Sequence, residues 1–380
     1  MNGNKTIIGL SGGVDSSVAA FLLREQGHEV VGCFMRSFDT ESSKRECELA
    51  GRLASRLGID FLVVDRRKEF CHEVVSYLMR SYIEGRTPNP CCLCNRTVKW
   101  PALLDAMRET GAEHVATGHY AGVSLDESSG RWCIKKAVRL KKDQSYALYN
   151  LTQEELSHTL MPLYGYYKED VRELARRIGL GTEDKPDSQE ICFIESGDYV
   201  SFIKDNLDIL FEGQPMTEAE KVEAAGELRK RIDGKGSFVD TEGRILGTHE
   251  GIINYTIGQR KGLNIALGRR VFVKEILPDK DQVVLSDDAA LYTDSARVGE
   301  LNWQLMDPEM LMRLGAEESI EADVKVRYGH QGTRARLSLS TEQPYEVLVR
   351  FCEPVRAVTP GQAAVFYDDE QRILGGGIIV

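Results

Sequence analysis

A glycine-rich segment directly after the first apolar run constrains the fold of this chain most strongly. The run TIIGL at residues 6–10 predicts a short buried β-strand, and SGGVDSS follows it at residues 11–17. A strand that leads through two glycines into a helix presents backbone N–H groups and a helix N-terminus to an anion. The segment therefore predicts a phosphate-binding loop. It lacks the Walker lysine and carries Asp15 in its second half.

The side chains of this loop suit a nucleotide. Gly12 and Gly13 let the backbone approach a phosphate closely. Asp15 can cap the following helix or help to hold Mg²⁺. Further hydroxyl donors come from the serines of the loop, Ser11, Ser16 and Ser17.

Strand and helix patterns alternate over the first 120 residues or so. Alternating units of this kind predict an α/β domain with a doubly wound, mostly parallel sheet. Ligands of such sheets bind at the carboxyl ends of the strands. The predicted strands place the loop at residues 9–17, together with Met35, Asp65 and Gly118-His119, at those ends.

The residue pattern of the sequence changes after about residue 235. Short alternating strands follow one another with Gly and Asp turns, as in GSFVDTEGRILGTHEG and RRVFVKEILPDKDQVVLS. This pattern predicts an all-β, barrel-like region that is divided in two.

Charge argues against wholesale nucleic-acid binding, because the 380-residue chain has a net charge of −11. Residues 229–274 differ, with ten Lys or Arg against four Asp or Glu, a net charge of +6. Such a basic segment either contacts a phosphate backbone or forms a solvated surface. No apolar stretch approaches the roughly 20 residues of a membrane helix, and the N-terminus lacks the pattern of a signal peptide. We therefore expect a cytoplasmic protein without membrane contact.

Three of the nine cysteines cluster in GRTPNPCCLCNRTVKW, residues 85–100. In a reducing cytosol such a cluster indicates catalysis or metal binding rather than a disulfide framework. Cys94 precedes a helix predicted at residues 98–109, a position that favours its thiolate. A second cysteine motif, DSQEICFI, carries Cys192.

The string SGGVDS after a first strand resembles the signature of the PP-loop ATP pyrophosphatases. These enzymes cleave ATP between the α- and β-phosphates and adenylate a substrate oxygen, so they need no Walker lysine. Longer stretches resemble one family almost from end to end, the bacterial tRNA 2-thiouridylases (MnmA/TrmU). They read GLSGGVDSSVAA, GRTPNPC-LCN, ATGHYA, KKDQSYAL, DSQEICFI, VDTEGRILGTHEGI, YTIGQRKGL, VKVRY and PGQAAVFYDD.

The resemblance implies a role for each matching position. Cys94 would be the nucleophile, and Cys192 would carry sulfur as a persulfide. ATP would bind at Gly9, Leu10, Ser11, Gly12, Gly13, Val14, Asp15, Ser16, Met35 and Gly118. The target uridine would lie against Asn89, Pro90 and Cys91. Contacts to tRNA would come from Lys142, Asp143, Gln144, Arg327 and Tyr328.

The resemblance also implies a reaction and an architecture. ATP and Mg²⁺ would adenylate the C2 oxygen of the wobble uridine, position 34, after the base has flipped out of its stack. Sulfur from an upstream persulfide donor would then give 2-thiouridine, AMP and pyrophosphate, with tRNAs for Glu, Gln and Lys as substrates. We expect a monomer with a PP-loop domain at 1–200, a small tRNA-contacting domain at 201–275 and a β-barrel at 276–380.

Several alternatives stay open on the sequence. Many members of the family carry Asp at position 91 and others carry Cys. This chain has Cys91 and also Cys92, so Cys91, Cys94 and Cys192 could instead ligate an iron–sulfur cluster. A PP-loop amidating synthetase, or a tRNA-binding protein with a vestigial loop, would also explain SGGVDS. His119 could bond a phosphate or be structural, and Tyr328 could stack on a base or fill the barrel.

Overall fold

The computed structural model describes residues 4–183, 191–307, 319–340 and 345–380. Three β units follow one another: a parallel sheet, a four-stranded sheet and a closed six-stranded barrel. The predicted fold, an α/β domain followed by a small central domain and a C-terminal barrel, is confirmed. None of the helices in these ranges combines the length and apolar character needed to cross a membrane.

The first sheet has the strand order β3-β2-β1-β4-β7, and every neighbouring pair is parallel. β1 lies at its centre, where Ile7 and Ile8 are fully buried. A two-stranded hairpin, β5 with β6, stands beside it. The strands are β1 (Lys5–Gly9), β2 (Glu29–Arg36), β3 (Asp60–Asp65), β4 (His114–Ala116), β5 (Ala121–Asp126), β6 (Arg131–Lys136) and β7 (Thr159–Leu160).

Ten α-helical segments occur in the described ranges. Two longer helices are each interrupted by a π turn, at Cys71–Val75 and at Asn95–Lys99. The segments are α1 (Val14–Glu25), α2 (Glu41–Leu57), α3 (Arg67–Phe70), α4 (Ser76–Ile83), α5 (Pro90–Cys94), α6 (Trp100–Thr110), α7 (Gln153–Ser157), α8 (Lys168–Arg177), α9 (Tyr199–Asp205) and α10 (Glu218–Ile232).

The central unit is the sheet β10-β11-β8-β9, preceded by α9 and α10. Its four strands lie between residues 236 and 286, on both sides of the domain boundary at residue 275 that the sequence predicted. Its apolar face shares one core with the helix of residues 67–83, so the central unit packs directly on the first domain. The strands are β8 (Gly236–Val239), β9 (Ile245–His249), β10 (Phe272–Leu277) and β11 (Gln282–Ser286).

The C-terminal barrel closes in the order β12-β15-β14-β13-β16-β17. Its interior is filled by small and branched side chains such as Ala322, Val324 and Val349. Its outer face, with Val365 and Tyr367, packs against the first domain. The strands are β12 (Tyr292–Trp303), β13 (Ile320–Lys325), β14 (Thr333–Leu339), β15 (Val347–Arg356), β16 (Ala363–Tyr367) and β17 (Ile373–Ile379).

Candidate active site

The phosphate-binding loop joins β1 to α1, as predicted. Gly12 has a φ of +73°, and a Cβ atom there would lie 3.0 Å from the carbonyl oxygen of Glu46. Both conditions favour glycine. Gly13 is the N-cap residue of α1, and no side chain caps the helix there in the described part of the chain. The first N–H groups of α1 are therefore left for an anion.

Two of the three loop serines hold the loop itself. Ser16 Oγ accepts a hydrogen bond from the Ser11 N–H at 3.2 Å and donates one to the Gly13 carbonyl at 3.2 Å. Ser17 Oγ donates to the same carbonyl at 2.8 Å. Both side chains are buried, whereas Ser11 is exposed. Ser11 is thus the serine whose hydroxyl is best placed for a ligand.

Asp15 is engaged in an ion pair rather than in a helix cap. Its carboxylate accepts hydrogen bonds from Lys168 Nζ at 2.7 and 2.8 Å and from the Tyr120 hydroxyl at 2.7 Å. The Lys168 side chain is only 7% exposed. The pair neutralises an acid that would otherwise repel the phosphates of a nucleotide. Lys168 begins the helix α8, and the sequence patterns do not connect it with the loop.

The connection after β4 forms a second wall beside the loop. A Cβ atom on Gly118 would lie 2.7 Å from the backbone nitrogen of Ser16, so the two segments touch backbone to backbone. The neighbouring His119 is structural: its Nδ1 lies 2.8 Å from Thr117 Oγ1, and its ring stacks on Trp100. Burial lowers the pKa of His119 to about 3, so the ring is neutral at pH 7.

The remaining predicted nucleotide residues follow the strand ends. Gly9 ends β1, and Leu10 is buried, with its N–H bonded to the Cys33 carbonyl at 2.8 Å. Val14 is a buried residue of the first turn of α1. Met35 lies near the end of β2 and packs against a core that contains Phe70.

The cysteine cluster lies within a helix rather than before one. The helix begins at Pro90 and continues through a π turn to Thr110, so the predicted start near residue 98 is wrong. The Asn89 side chain caps it by accepting a hydrogen bond from the Cys91 N–H at 3.1 Å. Asn-Pro is a typical N-cap and first-turn pair. Cys94 consequently lies in the second turn, away from the exposed N-terminus.

Cys94, Cys91 and Cys192 are brought together. Each of the other two thiols contributes electrostatically to the raised pKa of Cys192, which burial chiefly drives to about 12. Burial likewise raises the pKa of Cys94 to about 11 and raises that of Cys91. Part of Cys192 is exposed to solvent, but the atoms packed around its thiol reduce the hydration of the thiolate. The pKa of Cys94 is thus raised by burial, whereas its predicted position before a helix implied a lowered pKa.

One cation is common to the three thiols. The ammonium of Lys99 lowers the pKa of Cys91, Cys94 and Cys192, although burial outweighs it. Lys99 lies on the π turn, one helical turn beyond Cys94. The sequence patterns did not single it out. A lysine placed three to five residues after a reactive cysteine on one helix is the signal that could have found it.

The motif around Cys192 is anchored by its apolar end. Phe193 and Ile194 are buried in the core shared by the first domain and the central unit. Residues 187–190 of the motif lie outside the described residues.

Cys91, Cys94 and Cys192 are the thiols that the sequence offers as ligands of an iron–sulfur cluster. Within the described ranges, no group of three or more His, Cys, Asp or Glu side chains is arranged to hold a metal ion. The described arrangement of these thiols therefore does not fit a cluster.

The predicted tRNA-contacting turn lies beside the cysteine helix. Lys142 is exposed. Asp143 is buried, and its carboxylate accepts hydrogen bonds from the Ala137 N–H and from Ser145. Gln144 bonds both backbone groups of Tyr120 through its own N–H and side-chain oxygen. Asp143 and Gln144 thus shape the turn, and Lys142 is the member that faces solvent.

Two further predicted contacts come from the barrel. Arg327 Nη1 donates to the Arg356 carbonyl at 2.9 Å, which ties it to the end of β15. Tyr328 is half exposed, and its ring meets Tyr146 edge-on at 6.1 Å. Burial chiefly raises the pKa of the Tyr328 hydroxyl, and Asp143, Lys142 and Cys91 lie close enough to affect it as well, so the barrel reaches the cysteine site.

The barrel also holds the loop before the cysteines. Gln362 Nε2 donates to the carbonyls of Thr87 and Pro88 at 2.8 and 3.3 Å. The Thr87 N–H donates to the Pro360 carbonyl at 2.9 Å. The position of the cysteine helix therefore depends on the barrel as well as on its own domain.

An α/β domain with a phosphate-binding loop and a cysteine helix, joined to two β units, defines a class of nucleotide-dependent enzymes. Residues 4–196 match the family model described as tRNA methyl transferase HUP domain. Residues 228–287 match the tRNA methyl transferase PRC-barrel domain, and residues 293–379 the aminomethyltransferase beta-barrel domain.

Full-length relatives identify the family. The tRNA-specific 2-thiouridylase MnmA of Lachnoclostridium phytofermentans is 42% identical over 99% of this chain and 99% of its own length. The protein of the same name from Acetivibrio thermocellus is 42% identical over 100% of both chains. The chain belongs to the family of tRNA-specific 2-thiouridylases. The solved U34-tRNA thiolase NcsA from Methanococcus maripaludis is 22% identical, covers 60% of this chain and 73% of its own, and has a TM-score of 0.33, too low for an inference.

Proposed function

We propose that this chain is a tRNA-uridine 2-sulfurtransferase that uses ATP to replace the C2 oxygen of the wobble uridine, position 34, by sulfur. The observation that supports the proposal is the grouping of three thiols beside a barrel surface, in a chain of this family that also carries a phosphate-binding loop. The location in the cytoplasm and the monomeric state stay predictions.

The first step is adenylation. The C2 carbonyl oxygen of uridine attacks the α-phosphorus of ATP, and the bond to the β-phosphate breaks to release pyrophosphate. Ser11 and the first N–H groups of α1 bind the phosphates, while Lys168 keeps Asp15 neutralised. ATP enters with Mg²⁺, which offsets the charge of its phosphates. The step converts a poor leaving oxygen into AMP.

The second step is sulfur transfer. Cys192 first receives a sulfur atom from a persulfide donor, giving Cys192–S–SH. The terminal sulfur attacks C2 and displaces AMP, which leaves uridine linked to Cys192 through a disulfide. Cys94 then attacks the Cys192 sulfur, so that 2-thiouridine departs and a Cys94–Cys192 disulfide forms. A thiol reductant restores both thiols before the next turnover.

The raised pKa values of the thiols explain why Cys192 is loaded with sulfur before it attacks the uridine. A thiol with a pKa of about 11 or 12 is protonated at pH 7 and reacts slowly. A persulfide ionises more readily than a thiol, so Cys192 becomes nucleophilic once it is loaded. Lys99 stabilises the anion that forms near the three sulfur atoms.

Substrate tRNA is bound by surfaces on all three units. Near the cysteines we assign the target base to Asn89, Pro90 and Cys91, with Lys142 and Tyr328 at the entrance. In the central unit, Arg260, Lys261, Arg269 and Arg270 are exposed and have no ion-pair partner in the described ranges. Acceptors for Glu, Gln and Lys are the expected substrates.

A nucleotide assay tests the proposal. The protein should convert ATP to AMP and pyrophosphate only when unmodified tRNA is present. Asp15→Ala should abolish AMP formation, because it breaks the contacts with Lys168 and Tyr120 that hold the phosphate loop in place, and it should leave the tRNA dissociation constant unchanged. Asp39→Ala, which removes an exposed ion-paired carboxylate elsewhere, is the matched control. AMP formation that needs ammonia or an amino acid instead of tRNA would indicate an amidating synthetase.

A further inference from the structure

One lysine of the barrel is largely buried, and its ammonium, which keeps some contact with solvent, has no hydrogen-bonding partner in the described ranges. Lys325 ends β13, and only 8% of it is exposed. Within the described ranges its ammonium makes neither a hydrogen bond nor an ion pair, while Lys136, also near the domain junction, donates to Gln371. An isolated charge in such a place is costly, so a buried lysine normally has a partner.

Strand geometry explains where this lysine points. Ala322, Val324 and Val326 face the barrel interior, and side chains alternate along a strand. Lys325 therefore projects from the outer face, where the first domain covers the barrel. Its Nζ lies 5.8 Å from the centre of the Tyr146 ring and 6.0 Å from that of Tyr328. Aromatic faces at these distances offer a cation only weak compensation.

The carboxylate that acts on this lysine, that of Asp143, already accepts hydrogen bonds from other groups. Asp143 is the carboxylate whose charge acts on Lys325. Its oxygens accept hydrogen bonds from the Ala137 N–H, the Ser145 N–H and the Ser145 hydroxyl. Lys136 lies in the field of the same carboxylate. Asp143 therefore compensates Lys325 only from a distance.

The lysine lies directly beneath the surface that faces the cysteines. Tyr328, which forms one side of its surroundings, is 50% exposed. Burial chiefly raises the pKa of the same tyrosine, and Asp143, Lys142 and Cys91 are near enough to affect it too. A ligand that lies against Tyr328 on its way to Cys91 thus comes close to Lys325, whose Nζ is 6.0 Å from the Tyr328 ring. An anion is the ligand that would complete the environment of this lysine.

We propose that Lys325 binds a backbone phosphate of the tRNA next to the nucleotide that enters the cysteine site. The inference rests on the proposed function and adds a residue to it. A compact ammonium suits a single phosphate oxygen, and the exposed ring of Tyr328 beside it suits the adjoining base. Asp143 keeps the lysine in place before the phosphate arrives.

Titration of the full-length protein with an unmodified tRNA transcript at several salt concentrations tests this site. Lys325→Met should weaken binding about tenfold and reduce the slope of log K against log salt concentration by about one. Its midpoint of thermal unfolding should stay the same or rise, because an unpaired buried charge is removed. Lys325→Arg, which keeps the charge, should preserve the slope.

Arg334→Met is the matched control, because it removes a positive charge from the same barrel that Glu321 and Asp369 already pair. It should leave the slope unchanged. The inference is overturned if Lys325→Met binds tRNA like the unaltered chain, or if it lowers the unfolding midpoint or fails to fold. A lost slope in folded Lys325→Arg would also overturn it. Failure of the unaltered chain to bind tRNA would overturn the proposed function as well. If the unaltered chain and Lys325→Met both bind and thiolate tRNA normally, only this inference is overturned.

Discussion

Single residues of the site have environments that sequence spacing does not encode. Asp15 is paired with a lysine 153 residues away. The thiols of Cys94 and Cys192 have high pKa values because the domains pack around them, even though Lys99 acts in the opposite direction. We therefore expect the two cysteines to have different roles and both to be protonated in the resting protein.

The roles of the cysteines predict different behaviour of their variants. After incubation with a persulfide donor, Cys94→Ser should carry one additional sulfur atom on Cys192 but should form no 2-thiouridine. Cys192→Ser should carry none. Intact-protein and peptide mass spectrometry measures the loading. Cys352→Ser, which changes an exposed cysteine, is the control and should behave like the unaltered chain. Equal loading of Cys94→Ser and Cys192→Ser would contradict these roles.

The protonation of Cys94 predicts a steep dependence of its alkylation on pH. Burial raises its pKa to about 11, so its thiolate fraction should increase about tenfold per pH unit between about pH 7 and 10. The rate of iodoacetamide labelling of the Cys94 peptide should follow this increase. N-acetylcysteine, an unperturbed thiol, provides the reference. A labelling rate for Cys94 that levels off at or below about pH 8.5 would show that its thiolate is stabilised after all.

At the scale of elements, local sequence patterns predicted several strands, helices and loops, whereas contacts between segments far apart in the sequence could not be predicted. The phosphate loop was predictable because strand, glycines and helix follow one another in sequence. The helix at Pro90 began eight residues earlier than predicted, although Asn89 and Pro90 form an N-cap and first-turn pair that could have indicated it. Lys168 and Lys325 could not be found, since their surroundings come from segments far away in the sequence.

The close approach of Gly118 to the start of α1 predicts the effect of a single methyl group. Gly118→Ala would place a Cβ atom 2.7 Å from the Ser16 backbone nitrogen. Because backbone must move, the affinity for ATP with Mg²⁺ should fall at least about tenfold. Isothermal titration calorimetry measures it. Gly165→Ala is the control, since an added Cβ there meets no atom within 4 Å. Unchanged ATP affinity in folded Gly118→Ala would place the nucleotide elsewhere.

At the scale of the whole molecule, a protein with a net charge of −11 must bind an RNA that is also negatively charged. Residues 229–274 carry a net charge of +6. Arg229, Lys235 and Arg244 form ion pairs with nearby acids. The exposed cations of residues 260–270 form a surface without ion-pair partners in the described structure, and Lys230, Arg231 and Lys274 are likewise exposed and without such partners there. This surface and the barrel surface at Tyr328 would contact one tRNA at two places.

The basic segment predicts a change in the salt dependence of tRNA binding. Arg260→Glu and Lys261→Glu should each weaken binding and reduce the salt slope by about one phosphate contact. Arg244→Glu, in the same segment but ion-paired with Asp240, should have a smaller effect. Filter binding at several salt concentrations measures the slopes. Unchanged slopes for Arg260→Glu and Lys261→Glu would show that the segment is only a solvated surface.

The central claim is that the phosphate loop and the cysteines serve one reaction on tRNA. Mass spectrometry of nucleosides tests it most directly, after unmodified tRNA has been incubated with the protein, ATP, Mg²⁺ and a persulfide donor. We expect 2-thiouridine at position 34, in amounts that match the AMP released and that vanish without ATP or in Cys192→Ser. Thiolation that persists without ATP, or AMP release that yields no thiolated uridine, would contradict the claim.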